Sequence, residues 1–569
     1  MSLIQKLLVL ILKLNKMKKT WLCLLFGFIS LYSLFAQVQS KFLPSRQISE
    51  RVKYHIKDEA PKIKMKNINI QKLLEEDKKE EKLNVPMRFG TALDVNLDIS
   101  SNGKWFEIDS GRIWKLEISS DGAYSINMIF DKFYLPEGAE LFIYSADNSM
   151  AFGPITFLQN NNRKRFSTDL IKGSSVIIEL FVPSKEYGKT ELRIAKVIHG
   201  YKNMFNGYVI TDPAHDSENC NNDVDCPEFS AWSDQNEAIA LIILADGTRW
   251  CSGCLMNNTN NDFRPYFLTA FHCIDVGDPH VANQQVWNGS TWVWTDPDEA
   301  DRVLQGYEID EAEDWVFRFK YESPSPVCNG GETMLDGIAF ITYSGSTFRA
   351  GRNNTDFTLV EMNTTPARGN RIFYAGWSRS TTAPTSSVGI HHPRGDVMKI
   401  SIENGAATAT DWNNSGVNNH WLVNFDDGVV QHGSSGSPLF DQNRRVVGQL
   451  HGNDEYNRNL TYCAQPRAQY GRFDISWTGG GANNNRLSNW LDPLGIIGAN
   501  GTFNGAYRPC PGNSLSNRTW SSNISYSNCQ ITVTNSTITN NSTVTFDAES
   551  EVIINGNFEV QSGSSLIVR

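Results

Sequence analysis

Tyr266-Phe-Leu-Thr-Ala-Phe-His272-Cys273 is an apolar run that ends in a histidine beside a cysteine. It reads as a buried strand that delivers His272 to a strand end. Two further stretches share its character. Asn354-Thr-Asp356-Phe-Thr-Leu-Val360 opens an alternating strand on an aspartate. Gly433-Ser-Ser435-Gly436-Ser437-Pro438-Leu-Phe440 is a tight glycine-rich turn ahead of a strand. Taken singly, each has an ordinary structural reading: a structural histidine, a turn aspartate, a flexible turn.

Taken together they describe one chemistry. A serine hydroxyl is a poor nucleophile at neutral pH and needs a base within hydrogen-bond reach. Imidazole suits that role because it titrates near the working pH. A buried carboxylate fixes its tautomer and stabilises the imidazolium that forms. Backbone N–H groups must face the developing oxyanion, and glycines at 433 and 436 permit the turn this requires.

The matching stretches continue on both sides: "NCNNDVDC" (219–226), "CSGCLMNNTNNDFRPYFLTAFHC" (251–273), "TDFTLVEM" (355–362), "YAGWSRS" (374–380), "IHHP" (390–393), "GSSGSPLF" (433–440), "GQLHG" (448–452), "QYGR" (469–472) and "SWTGGG" (476–481). In this order they resemble the lysyl endopeptidase branch of the trypsin-fold serine proteases, over about 220–498. The His, Asp, Ser order is that of chymotrypsin. The resemblance implies a trypsin-like double β-barrel with His272 as general base, Asp356 as its orienting carboxylate and Ser435 as nucleophile. The amides of Gly433 and Ser435 would form the oxyanion hole. Trp412 and His451 resemble the family's Trp–His pair beside the catalytic histidine. The resemblance also implies bridges Cys220–Cys463, Cys226–Cys328 and Cys251–Cys273. Cys510 and Cys529 could then pair within the tail, leaving Cys254 free.

Two positions depart from the pattern. Ser434 precedes the nucleophile where most trypsin-like enzymes keep an aspartate for a freed N-terminus, so activation by that ion pair is not expected. Ala468 stands where the family's lysine-selecting aspartate would precede "QYGR", and Val429 where trypsin keeps its acidic residue. A lysine buried against Val429 and Ala468 would lack a counter-charge. An apolar or small primary pocket is expected, with Asp454 and Glu455 as the alternative source of negative charge.

The rest of the chain frames this segment. It has 569 residues, with 40% hydrophobic and 20% charged, which excludes a long disordered polyelectrolyte. A net charge of −10 argues against nucleic-acid binding through phosphates. From Met1 or Met17, a basic tip, an apolar run and Ala36-Gln37 read as a signal peptide over 1–36, so a secreted protein with disulfides is expected. No later stretch is long and apolar enough to span a bilayer. Residues 37–211 are expected to form a pro-region. Its first part, 37–85, is rich in Lys and Glu and reads as a solvated helix or linker. Beyond Phe89, runs such as Val176-Ile-Ile-Glu-Leu-Phe-Val182 alternate between turns and read as a β-sandwich.

The protease domain is expected over 212–507. It holds 11 of the 15 tryptophans, the largest aromatic core. Its last helix signal is Asn483 to Pro493. Residues 508–569, rich in Asn, Ser and Thr, read as a small β module of solenoid-like character.

Cys251-x-x-Cys254 lacks a partner motif for zinc. His391 and His392, adjacent on a strand, point to opposite faces and cannot chelate together. The acidic stretch at 296–301 reads as a solvated loop rather than a Ca²⁺ site. Asp314 also opens a strand but falls outside the family's position. No metal or cofactor is expected. The expected function is a secreted serine endopeptidase made as a precursor, acting on protein or peptide substrates and bound first by its own pro-region. The alternative is a catalytically silent protease-like binding or adhesin protein.

Overall fold

Alternation along the N-terminal third builds two antiparallel sheets face to face. The computed structural model describes residues 38–42, 60–80, 86–205, 217–244, 247–276, 284–287, 292–295, 304–328, 339–412, 416–457 and 459–568. One sheet of the sandwich carries Gly111–Ser119, Ser175–Pro183, Glu140–Ser145 and Met150–Ile155, and the other Ser125–Tyr134, Glu191–Gly200 and Gly90–Asp98. Alternate residues such as Trp114, Leu116, Ile118, Ile178 and Leu180 turn inward against Met128, Phe130, Leu192 and Ile194. This is the geometry that period-two patterning dictates.

The segment read as a solvated helix or linker contains a helix that is not wholly solvated. Helix Ile70–Glu80 brings Asp77 into a buried position. Arg88 Nη2 lies 2.8 Å and Lys202 Nζ 2.8 Å from its carboxylate, and Tyr201 donates to it. The charge run hides one inward-facing carboxylate, and partners far along the chain decide its burial.

Downstream lie two further β units. The first contains Ile239–Leu244, Arg249–Met256, Tyr266–Ala270, Val316–Phe319, Ala339–Ser344, Ser346–Arg352 and Phe357–Met362, around Phe267, Phe317, Phe319, Tyr343 and Tyr374. The second contains Lys399–Glu403, Ser387–His391, Pro438–Asp441, Val446–Gly452, Arg467–Arg472 and His420–Asn424, around Trp421, Val423, Phe425, Leu439 and Tyr470. Between them lies a third cluster that includes Trp377, stacked on Phe473 and Phe503. The expected fold class, mostly β with an N-terminal sandwich and a small C-terminal β module, is borne out.

The sandwich and the first β unit share a sheet. Val38–Phe42 pairs antiparallel with Met150–Ile155 on one side and Ala339–Ser344 on the other. Around this suture a mixed cluster packs Phe89, Ile129, Leu170 and Met204 against Leu241, Ile243, Trp250 and Phe340. Arg318, fully buried, pairs bidentately with buried Asp169, and Thr342 donates to the same carboxylate at 2.9 Å.

The tail winds in parallel rungs. Gly512–Ser516, Ile524–Thr534, Thr543–Asn555 and Ser565–Val568 pair in parallel in chain order, with Ile531, Val533, Val544 and Phe546 stacked inside. Asn517, Asn535, Asn540 and Asn541 have positive φ at the corners, which asparagine tolerates better than other side chains. The helix expected over 483–493 is shorter than its signal: a turn at Asn483–Asn485, then Ser488–Leu491.

Among the described residues no helix is long and apolar enough to cross a membrane. The expected signal at 1–36, the acidic stretch at 296–301 and the expected boundary between 211 and 212 lie outside the described residues.

Candidate active site

Strand Tyr266–Ala270 runs into a single helical turn, Phe271–Cys273, that carries His272. The neighbouring strand Phe357–Met362 pairs with it through Ala270 and Phe357, so the residue before that strand, Asp356, falls beside His272. Asp356 adopts left-handed φ 53° and ψ 38°, which turns its carboxylate back over the turn. His272 Nδ1 lies 2.9 Å from Asp356 Oδ2, and the His272 amide donates to Oδ1 at 3.0 Å. The Asp356 carbonyl accepts the Phe271 amide at 2.8 Å and Gln449 Nε2 at 3.2 Å.

Asp356 is buried. Burial pushes its carboxyl up, but the charges of His272 and His451 and the hydrogen bonds from His272 outweigh this and hold it below the usual carboxylate range. The group is therefore ionised at neutral pH and aligned to bind a proton on His272 Nδ1.

The glycine-rich turn lies against the same corner. Gly433 and Gly436 have φ of 94° and 81°. A Cβ on Gly436 would stand 2.1 Å from Thr269 Oγ1 and 2.5 Å from the Ser252 carbonyl, so the close approach needs glycine. The Ser435 carbonyl accepts the Ser252 amide at 2.8 Å and lies 3.9 Å from Cys273 Sγ, one residue from His272. Ser252 Oγ donates to the Gly433 carbonyl at 2.8 Å and accepts the His392 amide at 2.9 Å. Among the described residues no hydrogen bond takes up the amide of Gly433 or of Ser435.

Ser252, which pins this turn from both sides, escaped the reading of the sequence. Its only local signal is the disulfide cysteine before it.

Ser434 is held by His391, whose Nδ1 is 2.8 Å from its Oγ while Nε2 is 3.0 Å from Ser401 Oγ. Burial pushes the His391 pKa down to about 3, so the ring stays neutral. The place of the usual buried aspartate is thus filled by a neutral hydrogen-bonded pair. His392 faces elsewhere, with Nδ1 2.9 Å from the Asp396 carbonyl.

Beside the His272–Asp356 pair lie three more rings. Trp412 stacks on His451 with centroids 3.6 Å apart, and His451 stacks on His272 at 5.7 Å. His420, not singled out from sequence, has Nε2 3.0 Å from His451 Nδ1.

Val429 and Ala468 are both buried, but it is Val430, not Val429, that shares a cluster with Ala468. Asp454 is already taken up: Arg467 Nη2 lies 3.1 Å away and Gln469 Nε2 3.2 Å away. The same arginine reaches Glu455 at 3.5 Å. Asp314 is paired with Arg165 of the sandwich, remote from His272 in role.

Among the described residues four disulfides are present: Cys220–Cys463, Cys226–Cys328, Cys251–Cys273 and Cys510–Cys529. Cys254 is a buried free thiol whose pKa burial pushes up, so it is an inert core residue. The side chains of His272, Asp356 and His451 lie close enough to reach one cation. A cation there would displace the proton shared by His272 and Asp356.

The comparisons with known proteins bear on this site. Residues 214–462 match the family model "Lysyl endopeptidase, C-terminal domain". A "Lysyl endopeptidase" of Pseudomonas aeruginosa is 26% identical over 417 residues, covering 69% of this chain and 79% of its own. The chain is a protease similar to the lysyl endopeptidases. Two solved structures of Rv3671c, one from M. tuberculosis H37Rv titled as a mutant in an inactive form and one titled as a protease in an inactive form, align at TM-score 0.23. Each is 10% identical, and they cover 43% of this protease and 84% and 87% of their own chains. The family match includes Val429 and ends at 462, before Ala468.

Proposed function

We propose that the protease is a secreted serine endopeptidase that hydrolyses peptide bonds through an acyl-enzyme and is made as a precursor. The observation that carries this reading is the buried His272–Asp356 pair, with Nδ1 2.9 Å from Oδ2, at the corner occupied by the Ser435 turn. Ser435 Oγ attacks the scissile carbonyl. His272 Nε2 takes its proton and returns it to the leaving amine, while Asp356 stabilises the imidazolium. The Gly433 and Ser435 amides receive the oxyanion. The protease domain is taken as 212–507, after a signal at 1–36 and a pro-region at 37–211. The four disulfides support an oxidising destination.

A serine-directed phosphonate tests the nucleophile. It should label the active protein once, at Ser435, and leave Ser435→Ala unlabelled. Ser435→Ala and His272→Ala should each lose on the order of 10⁶-fold in turnover, with the double variant little worse. An unlabelled wild type would favour the silent binding protein instead.

The expected substrate class rests on the charges available near Ala468. Ala468 supplies no charge, and Arg467 already neutralises Asp454. Specificity is a difference of affinities, and a lysine ammonium here would meet desolvation without a counter-charge. Cleavage after apolar or small residues is expected in a peptide library. A clean lysine preference would overturn this and point to Asp454 released from Arg467.

A further inference from the structure

We infer that His420 is a positioning residue for the triad: it dictates which nitrogen of His451 carries the proton, and thereby reserves the Asp356 carboxylate for His272. The inference rests on the triad reading above. It deepens that reading by adding a residue outside the Trp412–His451 pair.

The proton accounting starts two residues away from the chemistry. Asn419 Nδ2 donates to the Asn354 carbonyl and, at 2.8 Å, to Asn354 Oδ1. Both amide hydrogens point that way, so Asn419 Oδ1 is the atom facing His420 Nδ1, 2.7 Å away. An amide oxygen can only accept, so His420 Nδ1 carries a proton. Burial pushes the His420 pKa down to about 4, against the weaker upward pull of Asp356, Asp454 and Asp411. The ring is neutral at working pH, and its Nε2 is bare. His451 Nδ1, 3.0 Å from that Nε2, must then be the donor.

The consequence lies at the other side of His451. Its Nε2 is 3.9 Å from Asp356 Oδ2, the oxygen that also takes the His272 Nδ1 hydrogen at 2.9 Å. With its proton held on Nδ1, neutral His451 offers Asp356 no hydrogen. It can donate to Oδ2 only by gaining a second proton and becoming a cation. In that state it would compete with His272 for the same oxygen. Without the His420 acceptor, neutral His451 is free to carry its hydrogen on Nε2 and donate to Asp356 at every pH. Among the described residues, the groups facing His451 include Trp412, stacked at 3.6 Å, His272, His420 and Asp356; Asp411 and Asp454 act on His420.

The test uses the active secreted protein labelled with ¹⁵N-histidine, in wild type, His420→Phe and His420→Gln. Phenylalanine removes the acceptor at similar volume. Glutamine can present its amide oxygen to His451 and its NH₂ to Asn419. Wild type at neutral pH should show His451 protonated on Nδ1, and His420→Phe should show the hydrogen moved to Nε2. His420→Phe should lose about tenfold in kcat, the factor of one hydrogen bond, with KM within about twofold. The acid limb of its kcat/KM profile should also shift. His420→Gln should restore the Nδ1 tautomer and most of the rate. A His420→Phe protein whose His451 keeps Nδ1–H and whose pH profile is unchanged overturns the inference. So does equal loss in both variants with raised KM. Phosphonate labelling of wild type at Ser435 is run alongside: if it fails, the triad reading falls, whereas labelling with an unmoved tautomer sinks only the role of His420.

Discussion

Asp356 shows how one residue combines backbone, burial and charge. Its left-handed φ of 53° suits aspartate better than a β-branched or bulky side chain. Replacing it by asparagine keeps the shape and removes the charge. Asp356→Asn should lower kcat by about 10⁴-fold at neutral pH, because the amide can hold the wrong tautomer of His272. The same carboxyl also bears on stability. Its folded pKa lies below the unfolded value, so its contribution is complete above the ordinary carboxylate pKa of about 4 and is lost as pH falls through the lower folded value. Acid unfolding followed at several pH values should therefore show a smaller acid-side loss of stability for Asp356→Asn than for wild type. Equal pH dependence would mean that the charge is not held as the geometry indicates.

At the scale of elements, the turn that carries Ser435 is set by contacts from strand Arg249–Met256. Ser252 of that strand binds both the Gly433 and Ser435 carbonyls. Gly436 lies so close that a methyl group would meet both Thr269 and Ser252. Gly436→Ala should cost at least roughly 1–3 kcal/mol from the positive φ, with the clash in addition, and should lower phosphonate labelling in the folded fraction. A thermal midpoint and labelling rate like those of wild type would show that the turn can relax. The glycine signal was legible in the sequence because a positive φ is a local demand. Ser252 was not, because its role depends on a strand nearly two hundred residues away meeting the turn.

Across the whole molecule, the sandwich and the first downstream β unit meet through an apolar cluster, a shared strand edge and the buried Arg318–Asp169 pair. Phe89 stacks on Trp250 with centroids 4.8 Å apart, and Trp250 Nε1 lies 2.8 Å from where a Cβ on Gly433 would be. The sandwich therefore presses on a residue that touches the turn carrying Ser435. A pro-region released by cleavage would leave Ala339–Ser344 as an open strand edge and Arg318 without its carboxylate. Released sandwich added back to the active protease should bind and inhibit it. Asp169→Asn in that sandwich should weaken inhibition by roughly 10²-fold or more, since a buried charge left unpaired costs about 3–5 kcal/mol. No inhibition by either form would remove the pro-region reading of 37–211.

The sequence by itself determined what depends on neighbours along the chain. The strand ending at His272, the aspartate opening the next strand, the glycine turn around Ser435 and the alternation of the sandwich are all local patterns of polarity and backbone freedom. Tertiary structure alone decided which distant groups meet. His420 and His451 come together because strand His420–Asn424 pairs with Arg467–Arg472, which pairs in turn with Val446–Gly452. Asp77 is buried because Arg88, Tyr201 and Lys202 converge on it, although its own segment reads as solvated. Asp454 has a charge that sequence could count, but its pairing with Arg467 took that charge out of play. The physical reason is common to all three. Propensity and periodicity act over a few residues, whereas register between strands and the pairing of buried charges are settled only when remote segments pack and water is excluded.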